Sequence, residues 1–172
     1  MKDLIIVDGY NFIFNYFNAK KMDSDGLLYL REQLIRDLVG YRHWRKCDLI
    51  VVFDAKDSNN RVRNIQTVDD IEIIYSSRSE TADSIIEEFV YSKQKYRRIF
   101  VVTSDYLEQK VIFRDNIYRK SIREFGIEIG NSKKRIKEKI DSSRKTGRES
   151  FYLLENRLDD KSKKKFSVFR RK

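Results

Sequence analysis

The chain has few of the residues on which several common kinds of site depend. Among its 172 residues there is one cysteine, Cys47, one histidine, His43, and no proline. A single cysteine excludes an internal disulfide and a cysteine-rich zinc site, and a single histidine leaves little room for histidine-based acid–base chemistry. No apolar run is long enough to span a membrane, and the four apolar residues between Asp3 and Asp8 do not resemble a secretory signal. We therefore expect a cytoplasmic protein.

Positive charge is present in excess, and it lies at one end of the chain. The net charge is +10, and hydrophobic residues make up 40% of the sequence, which is enough for a core. Residues 131–172 carry 16 of the 37 lysines and arginines but 6 of the 27 aspartates and glutamates, so the whole surplus lies there. A neutral body with a basic arm indicates a polyanionic partner such as nucleic acid. The alternative is a solvated helix that only confers solubility.

Hydrophobic patterns predict alternating strands and helices. Short β-branched runs are typical of buried parallel strands, whereas apolar residues at three- and four-residue spacing predict helices. The predicted strands are 3–8, 49–54, 71–75, 98–104 and 126–129. The predicted helices are 27–43, 81–95, 107–125 and one or two within 131–160, and residues 55–70 are predicted to form an exposed loop. This order favours an α/β fold with a mainly parallel sheet and helices on both faces.

Acidic residues stand where three of the predicted strands end. Asp8, Asp54 and Asp105 each follow an apolar run. The carboxyl ends of parallel strands meet at one edge of an open sheet, where the ligands of such folds bind. Carboxylates gathered there repel one another unless a cation neutralises them, and hard divalent ions prefer oxygen ligands. The pattern therefore predicts a site for one or two Mg²⁺ or Mn²⁺ ions, with no need for histidine or cysteine.

Three further polar residues extend this predicted cluster. Asn11 lies three residues after Asp8, and Glu80 and Asp83 share a face at the start of a predicted helix. Each has a simpler explanation. Asp8 or Asn11 can cap a helix, as can the acids after the other strands, and acids are typical of a first helical turn. It is the joint placement of these residues that favours a site.

Candidate nucleic-acid contacts lie in three places. Lysines and arginines of the C-terminal segment would bind phosphates without regard to base sequence, and arginines of the predicted loop would bind nearer the metal. An exposed Tyr10 could stack on an unpaired base. The basic candidates are Arg61, Arg63, Lys133, Lys134, Arg135 and Lys137.

Four stretches of the chain resemble the NYN/PIN-like metal-dependent ribonucleases, specifically their bacterial YacP-like branch. They are residues 6–11 (IVDGYN), 51–55 (VVFDA), 79–87 (SETADSIIE) and 101–105 (VVTSD). The four motifs occur in the family's order, and as a set they are specific. The resemblance implies a PIN-like three-layer sandwich in which the first strand is central and lies beside the fourth. The predicted organisation is a nuclease domain, 1–130, followed by a basic helical extension, 131–172, that is not part of the general NYN pattern.

The same resemblance implies roles for the acidic residues. Asp8, Asp83 and Asp105 would be metal ligands. Three others would bind through water or orient the ligands, namely Asn11, Asp54 and Glu80. The implied activity is endonucleolytic hydrolysis of single-stranded RNA by a metal-activated water, and the implied setting is mRNA in the ribosomal A site.

Two other classes of protein stay open. One is a non-catalytic RNA- or ribosome-binding module that keeps the acids for folding or Mg²⁺ binding. The other is a phosphoryl-transfer protein that uses a strand-end aspartate. Against this second class, Tyr10 stands where haloacid dehalogenases have another aspartate, and the first strand lacks the acid pair of receiver domains.

Overall fold

A six-stranded sheet forms the centre of the protein. We describe the protein from a computed structural model, for residues 1–19, 21–54, 61–92, 95–104 and 116–157. The strands are β1 (Asp3–Asp8), β2 (Asp48–Phe53), β3 (Asn64–Val68), β4 (Ile71–Tyr75), β5 (Arg98–Val102) and β6 (Ile117–Lys120). The helices are α1 (Gly9–Tyr16), α2 (Ser24–Arg45), α3 (Ala82–Ser92) and α4 (Ile122–Arg157). The sheet order is β3-β4-β2-β1-β5-β6. The β3–β4 pair is antiparallel, and the other described pairs are parallel.

Helices cover both faces of the sheet. Leu4 and Ile6 of β1 point to one face and pack with α3 in one hydrophobic cluster. Ile5 and Val7 point to the other face and pack with α1, α2 and the first turns of α4. A strand that is buried on both sides must be apolar throughout, which is why β1 reads as a continuous hydrophobic run. The predicted α/β class, with a mainly parallel sheet between helical layers and β1 central beside β5, is confirmed.

The predicted loop over residues 55–70 is wrong in its second half. There β3 forms a hairpin with β4 through Asp69 and Asp70, whose φ angles of 46° and 59° are both positive. Two left-handed residues are typical of a type I′ hairpin turn. All five residues of β3 are exposed, so no buried face marks this strand in the sequence. Residues 55–60 lie outside the described part of the chain.

Two other predicted elements are also wrong. Residues 126–129 are predicted as a strand but belong to α4, where Ile122, Phe125 and Ile129 are buried at helical spacing. Residues 117–120 are predicted within a helix but form β6, whose pairing with β5 decides their conformation. The rest of the predicted helix, up to residue 115, lies outside the described residues. Helix α1 has no counterpart in the sequence prediction.

The chain divides into two units, Met1–Lys133 and Lys134–Lys172. The helix predicted in the basic segment is confirmed as far as Arg157. The division of roles between a nuclease domain and an extension stays a prediction. None of the described helices is both long enough and apolar enough to cross a membrane.

Candidate active site

The candidate site lies at the carboxyl edge of the sheet, between β1 and β5. From β1 the chain passes to β2 on one side, and after β4 it crosses through α3 to β5 on the other side. The strand order therefore reverses at the β1–β5 boundary, which is where open α/β sheets bind ligands. Asp8 is the last residue of β1, and its neighbour Val7 pairs with Val102, the last residue of β5. The two strands thus end side by side.

Asp8 links the sheet to α1. Its side chain is 8% exposed, and one carboxylate oxygen accepts a hydrogen bond from the Asn11 backbone N–H at 3.1 Å, so Asp8 is the N-cap of α1. The simpler explanation of Asp8, that it caps a helix, is therefore correct, but it does not exclude a second role. An ionised carboxylate offers roughly four acceptor positions, so capping a helix and ligating a metal are compatible roles.

Asn11 joins α1 to the exit of β5. Its side-chain oxygen accepts hydrogen bonds from the Ser104 hydroxyl at 2.6 Å and from the Ser104 N–H at 3.3 Å. The Asn15 amide donates to the same Asn11 oxygen at 3.1 Å and to the Ser104 hydroxyl at 3.2 Å. This network, which we call the Asn11–Asn15–Ser104 network, holds the residue before Asp105 against α1. Asp105 itself lies outside the described residues.

Asp54 lies at the same edge, one residue beyond β2. Its carboxylate accepts a hydrogen bond from the Ser76 hydroxyl at 3.2 Å, and Ser76 in turn follows β4. The ends of β2 and β4 are therefore tied together. Tyr10 is only partly buried, but its ring packs edge-on against Phe53 at 5.1 Å, so the residue that was predicted to stack on a base contributes to the core.

Glu80 and Arg63 are paired with each other. The Arg63 guanidinium donates two hydrogen bonds to one Glu80 oxygen, at 2.6 and 2.9 Å, and a further one to Glu88. The Ser77 hydroxyl donates to the other Glu80 oxygen at 2.8 Å. These contacts, the Arg63 hydrogen bonds first, hold the pKa of Glu80 at about 2. A direct role for Glu80 in metal binding, or for Arg63 in RNA binding, would require this pair to open.

Asp83 lies in the first turn of α3 and is exposed. Because α3 connects two parallel strands, it runs antiparallel to them and begins at their carboxyl edge. No described residue donates a hydrogen bond to the Asp83 carboxylate, so that carboxylate is available to a ligand.

The donor set at this edge fits a hard divalent ion in its chemistry. Asp8, Asp54 and Asp83 offer carboxylate oxygen, which Mg²⁺ and Mn²⁺ prefer, whereas the Asn11 oxygen already accepts three hydrogen bonds. Within the described part of the chain, no group of three or more histidine, cysteine, aspartate or glutamate side chains is arranged to hold a metal. Asp105, which follows the residue that Asn11 holds, stays a predicted ligand.

The predicted RNA-binding residues outside this edge differ in their surroundings. Arg61 is exposed, as are Lys134, Arg135 and Lys137 on α4. Lys133 donates to Asp37 of α2 at 2.6 Å, which neutralises part of its charge.

Sequence reasoning missed two basic residues that lie next to the acidic edge. Arg119 and Arg123 line a cavity of about 660 Å³ whose wall also includes Asn15 and Ser104. The sequence prediction placed both arginines on one helix, whereas Arg119 belongs to β6 and Arg123 to α4. The motif Ser121-x-x-Glu124 between them is a capping box and was an available signal for a helix start at this point.

Comparisons with known proteins agree on one family. The sequence profile of the YacP-like NYN domain matches residues 5–171. YacP of Bacillus subtilis (strain 168) is 33% identical over 139 residues, which is 80% of this chain and 81% of that protein. A crystal structure of Rae1 (YacP) from Bacillus subtilis matches with a TM-score of 0.71 at 29% identity, covering 98% of this chain and 95% of that one. A crystal structure of a mutant of the same protein matches with a TM-score of 0.69 at 32% identity, covering 83% of both chains. The chain belongs to the YacP-like NYN nuclease family.

Proposed function

We propose that the protein is a metal-dependent endoribonuclease that hydrolyses single-stranded RNA, with mRNA in the ribosomal A site as its substrate. The observation that carries the proposal is the Asn11–Asn15–Ser104 network. It holds the end of β5 against the helix that Asp8 caps, and so brings the chain that leads into Asp105 next to Asp8. Membership of a nuclease family supports the reaction type.

Asp8, Asp83 and Asp105 are the proposed ligands of Mg²⁺ or Mn²⁺, and Asn11 and Asp54 orient them. When bound, such an ion would activate a water and stabilise charge on a phosphodiester oxygen. The chain's own contribution is geometric. Asp8 is buried at a strand end and its carboxylate accepts a hydrogen bond from the Asn11 backbone N–H, so the carboxylate is held in one orientation.

The RNA and ribosome parts of the proposal rest on charge. The exposed basic residues of α4, among them Lys134 and Lys137, offer sequence-independent phosphate contacts. Ribosomal RNA presents a dense field of phosphates, so the same surface suits the ribosome. A ribosomal substrate would place the protein in the cytoplasm. The competing proposal is a binding module without turnover, because those charges would serve it equally well.

The test of the reaction is Asp8→Asn. Asparagine is as good an N-cap as aspartate, so the variant keeps α1 in place while removing the charge. We expect cleavage of single-stranded RNA in Mn²⁺ or Mg²⁺ to fall by about 10²-fold or more, and EDTA to abolish cleavage by the wild type.

The matched control is Asp23→Asn. Asp23 likewise caps a helix, α2, by accepting from the Gly26 N–H at 3.0 Å, but it is an exposed residue that does not follow a strand. It should leave cleavage unchanged. Wild-type rates in Asp8→Asn would show that the site is assigned wrongly, and RNA binding by the wild type without any turnover would favour the binding module.

A further inference from the structure

The cavity beside the acidic edge is formed by four different parts of the chain. Asn15 and Tyr16 come from the end of α1, Ser104 follows β5, and Arg119 lies on β6, with Arg123 in the first turn of α4. Its volume of about 660 Å³ falls within the range of roughly 300–1,000 Å³ that is usual for ligand pockets. The cavity is therefore large enough to take one nucleotide.

The two arginines give the cavity a positive charge that Glu124 offsets only in part. Hydrogen bonds from Ser121 are the main cause of the lowered pKa of Glu124, and the charges of Lys120 and Arg119 add to it. Both arginines are exposed, and neither makes a salt bridge with a described acid. Glu128 is held by Lys120 at 2.7 Å. Glu124 accepts from the backbone N–H and the hydroxyl of Ser121, so it belongs to the helix cap. The guanidinium groups remain available, and a guanidinium presents donors that match the geometry of a phosphate.

Tyr16 supplies the apolar wall of the cavity. Its ring stacks on Phe12 at 4.9 Å and lies against Gly126, where a Cβ atom would come within 2.3 Å of the ring. Only glycine permits this contact, although glycine inside a helix is unfavourable. Tyr16 remains 38% exposed and Ile127 is 56% exposed, so apolar surface faces the cavity entrance.

The cavity shares a wall with the candidate active site. Asn15 and Ser104 line it, and the same two side chains hydrogen-bond to Asn11, which follows Asp8 by one helical turn. A strand of RNA whose phosphodiester lies at the acidic edge would therefore reach the cavity with its next nucleotide.

We propose that this cavity is a nucleotide subsite for the RNA strand. Arg119 and Arg123 bind the phosphate of a nucleotide that flanks the cleaved bond, and its sugar and base rest against Tyr16 and Ile127. The inference rests on the proposed function for the path of the RNA strand from the acidic edge into the cavity, but RNA binding itself can be measured without cleavage.

The charge test uses the full-length double variant Arg119→Gln and Arg123→Gln. Binding of a short oligouridylate is measured in EDTA over a series of salt concentrations, so that no cleavage occurs. We expect affinity to fall roughly tenfold and the slope of log K against log salt to become shallower by about 0.7, since the one phosphate that both arginines bind contributes about 0.7 in single-stranded RNA.

The control for charge is Arg97→Gln. Arg97 is exposed and pairs with Asp3 at the amino edge of the sheet, opposite the cavity, and Asp3 keeps its second partner Arg98. This variant should bind RNA like the wild type. Wild-type affinity and slope in the double variant, or an equal loss in Arg97→Gln, would overturn the subsite. Competition by free uridine monophosphate as strong as that by the oligonucleotide would also overturn it, in favour of a mononucleotide site.

The shape test uses a pair of glycines on the same helix. Gly126→Ala must displace Tyr16, whereas nothing lies within 4 Å of a Cβ at Gly130. We expect Gly126→Ala to weaken oligouridylate binding severalfold without changing the salt slope, because no charge is lost, and Gly130→Ala to bind like the wild type. Equal affinity in the two variants would contradict the role of the Tyr16 wall.

Binding and cleavage assays separate this inference from the proposed function. If the wild type binds RNA through the two arginines but never cleaves it, the endoribonuclease proposal fails and the subsite stands. If the wild type cleaves RNA and the double variant binds and cleaves equally well, the subsite fails and the endoribonuclease stands.

Discussion

Gly9 stands where the end of β1 turns directly into α1, and the Phe53 ring fills the space that a side chain there would need. A Cβ at Gly9 would come within 2.3 Å of that ring. Phe53 is fully buried and precedes Asp54, so moving it disturbs both the core and the acidic edge. We expect Gly9→Ala to lower the free energy of unfolding by about 1–3 kcal/mol, measured by urea denaturation.

Gly130→Ala is the control for that measurement. It adds the same methyl group inside a helix where space is open, and we expect it to raise the free energy of unfolding by about 0.5–1 kcal/mol. Equal midpoints for the two variants would show that Phe53 moves aside without cost.

Glu80 is predicted to make the free energy of unfolding depend on pH. Arg63 holds its pKa at about 2, below the ordinary value of 4.5. A carboxylate whose pKa is lowered by folding stabilises the protein above its unfolded pKa, and that stabilisation is lost as the pH falls towards the folded pKa. Glu80→Gln should therefore lower the free energy of unfolding at neutral pH and flatten its decline between pH 4.5 and 2.

The comparison variant for Glu80 is Glu87→Gln, on the exposed face of the same region of the chain and outside the Arg63 pair. Its pH profile, obtained by urea denaturation at each pH, should follow the wild type. An unchanged profile for Glu80→Gln would mean that the Arg63 pair contributes nothing to folding.

At the scale of elements, the hydrogen bonds of Asn11 connect α1 to the end of β5. Asn11→Ala removes the acceptor that Ser104 and Asn15 use, so we expect the free energy of unfolding to fall by about 1 kcal/mol. Cleavage should fall much further, because the exit of β5 is no longer held against α1. Urea denaturation and RNA cleavage measured on the same preparation give both values.

Asn11→Asp distinguishes the hydrogen bonds of Asn11 from its charge. An aspartate keeps every acceptor interaction of the Asn11 oxygen, so stability should stay near that of the wild type while the edge becomes more negative. If Asn11→Ala cleaves RNA as fast as Asn11→Asp, the Asn11–Asn15–Ser104 network does not position the site.

At the scale of the whole molecule, the hydrophobic core and the net positive charge lie in different parts of the chain. The residues of both core clusters end at Ile129. Residues 1–133 carry 22 basic and 21 acidic side chains, so removing 134–172 removes nearly all of the net charge. We expect a chain ending at Lys133 to keep the urea midpoint of the full chain but to bind RNA and ribosomes more weakly and with a shallower salt slope.

Replacing Lys134, Arg135 and Lys137 by glutamine in the full-length chain is the complementary experiment. These three residues are exposed on α4, so we expect the fold to be kept while three positive charges are lost. Co-sedimentation with ribosomes that is unchanged by both alterations would remove the proposed role of the segment.

The sequence was sufficient for those elements whose burial pattern is strong. The continuous apolar runs of β1 and β2 predicted central parallel strands, because both faces of such strands are covered. It was insufficient for β3 and β6, since β3 is exposed throughout and β6 is buried only at Ile117. Hydrogen bonding to a neighbouring strand, which no local pattern reports, decides their conformation.

The sequence by itself determined the acidic residues, their positions at strand ends and the segregation of positive charge, because these depend only on residue type and order. The tertiary structure decided which of them meet. It paired Glu80 with Arg63, tied Asn11 to Ser104, and brought Arg119 and Arg123 into one cavity with Asn15. The physical reason is that these contacts join residues far apart in the chain, whose partners are chosen by sheet order and helix packing rather than by neighbours in sequence.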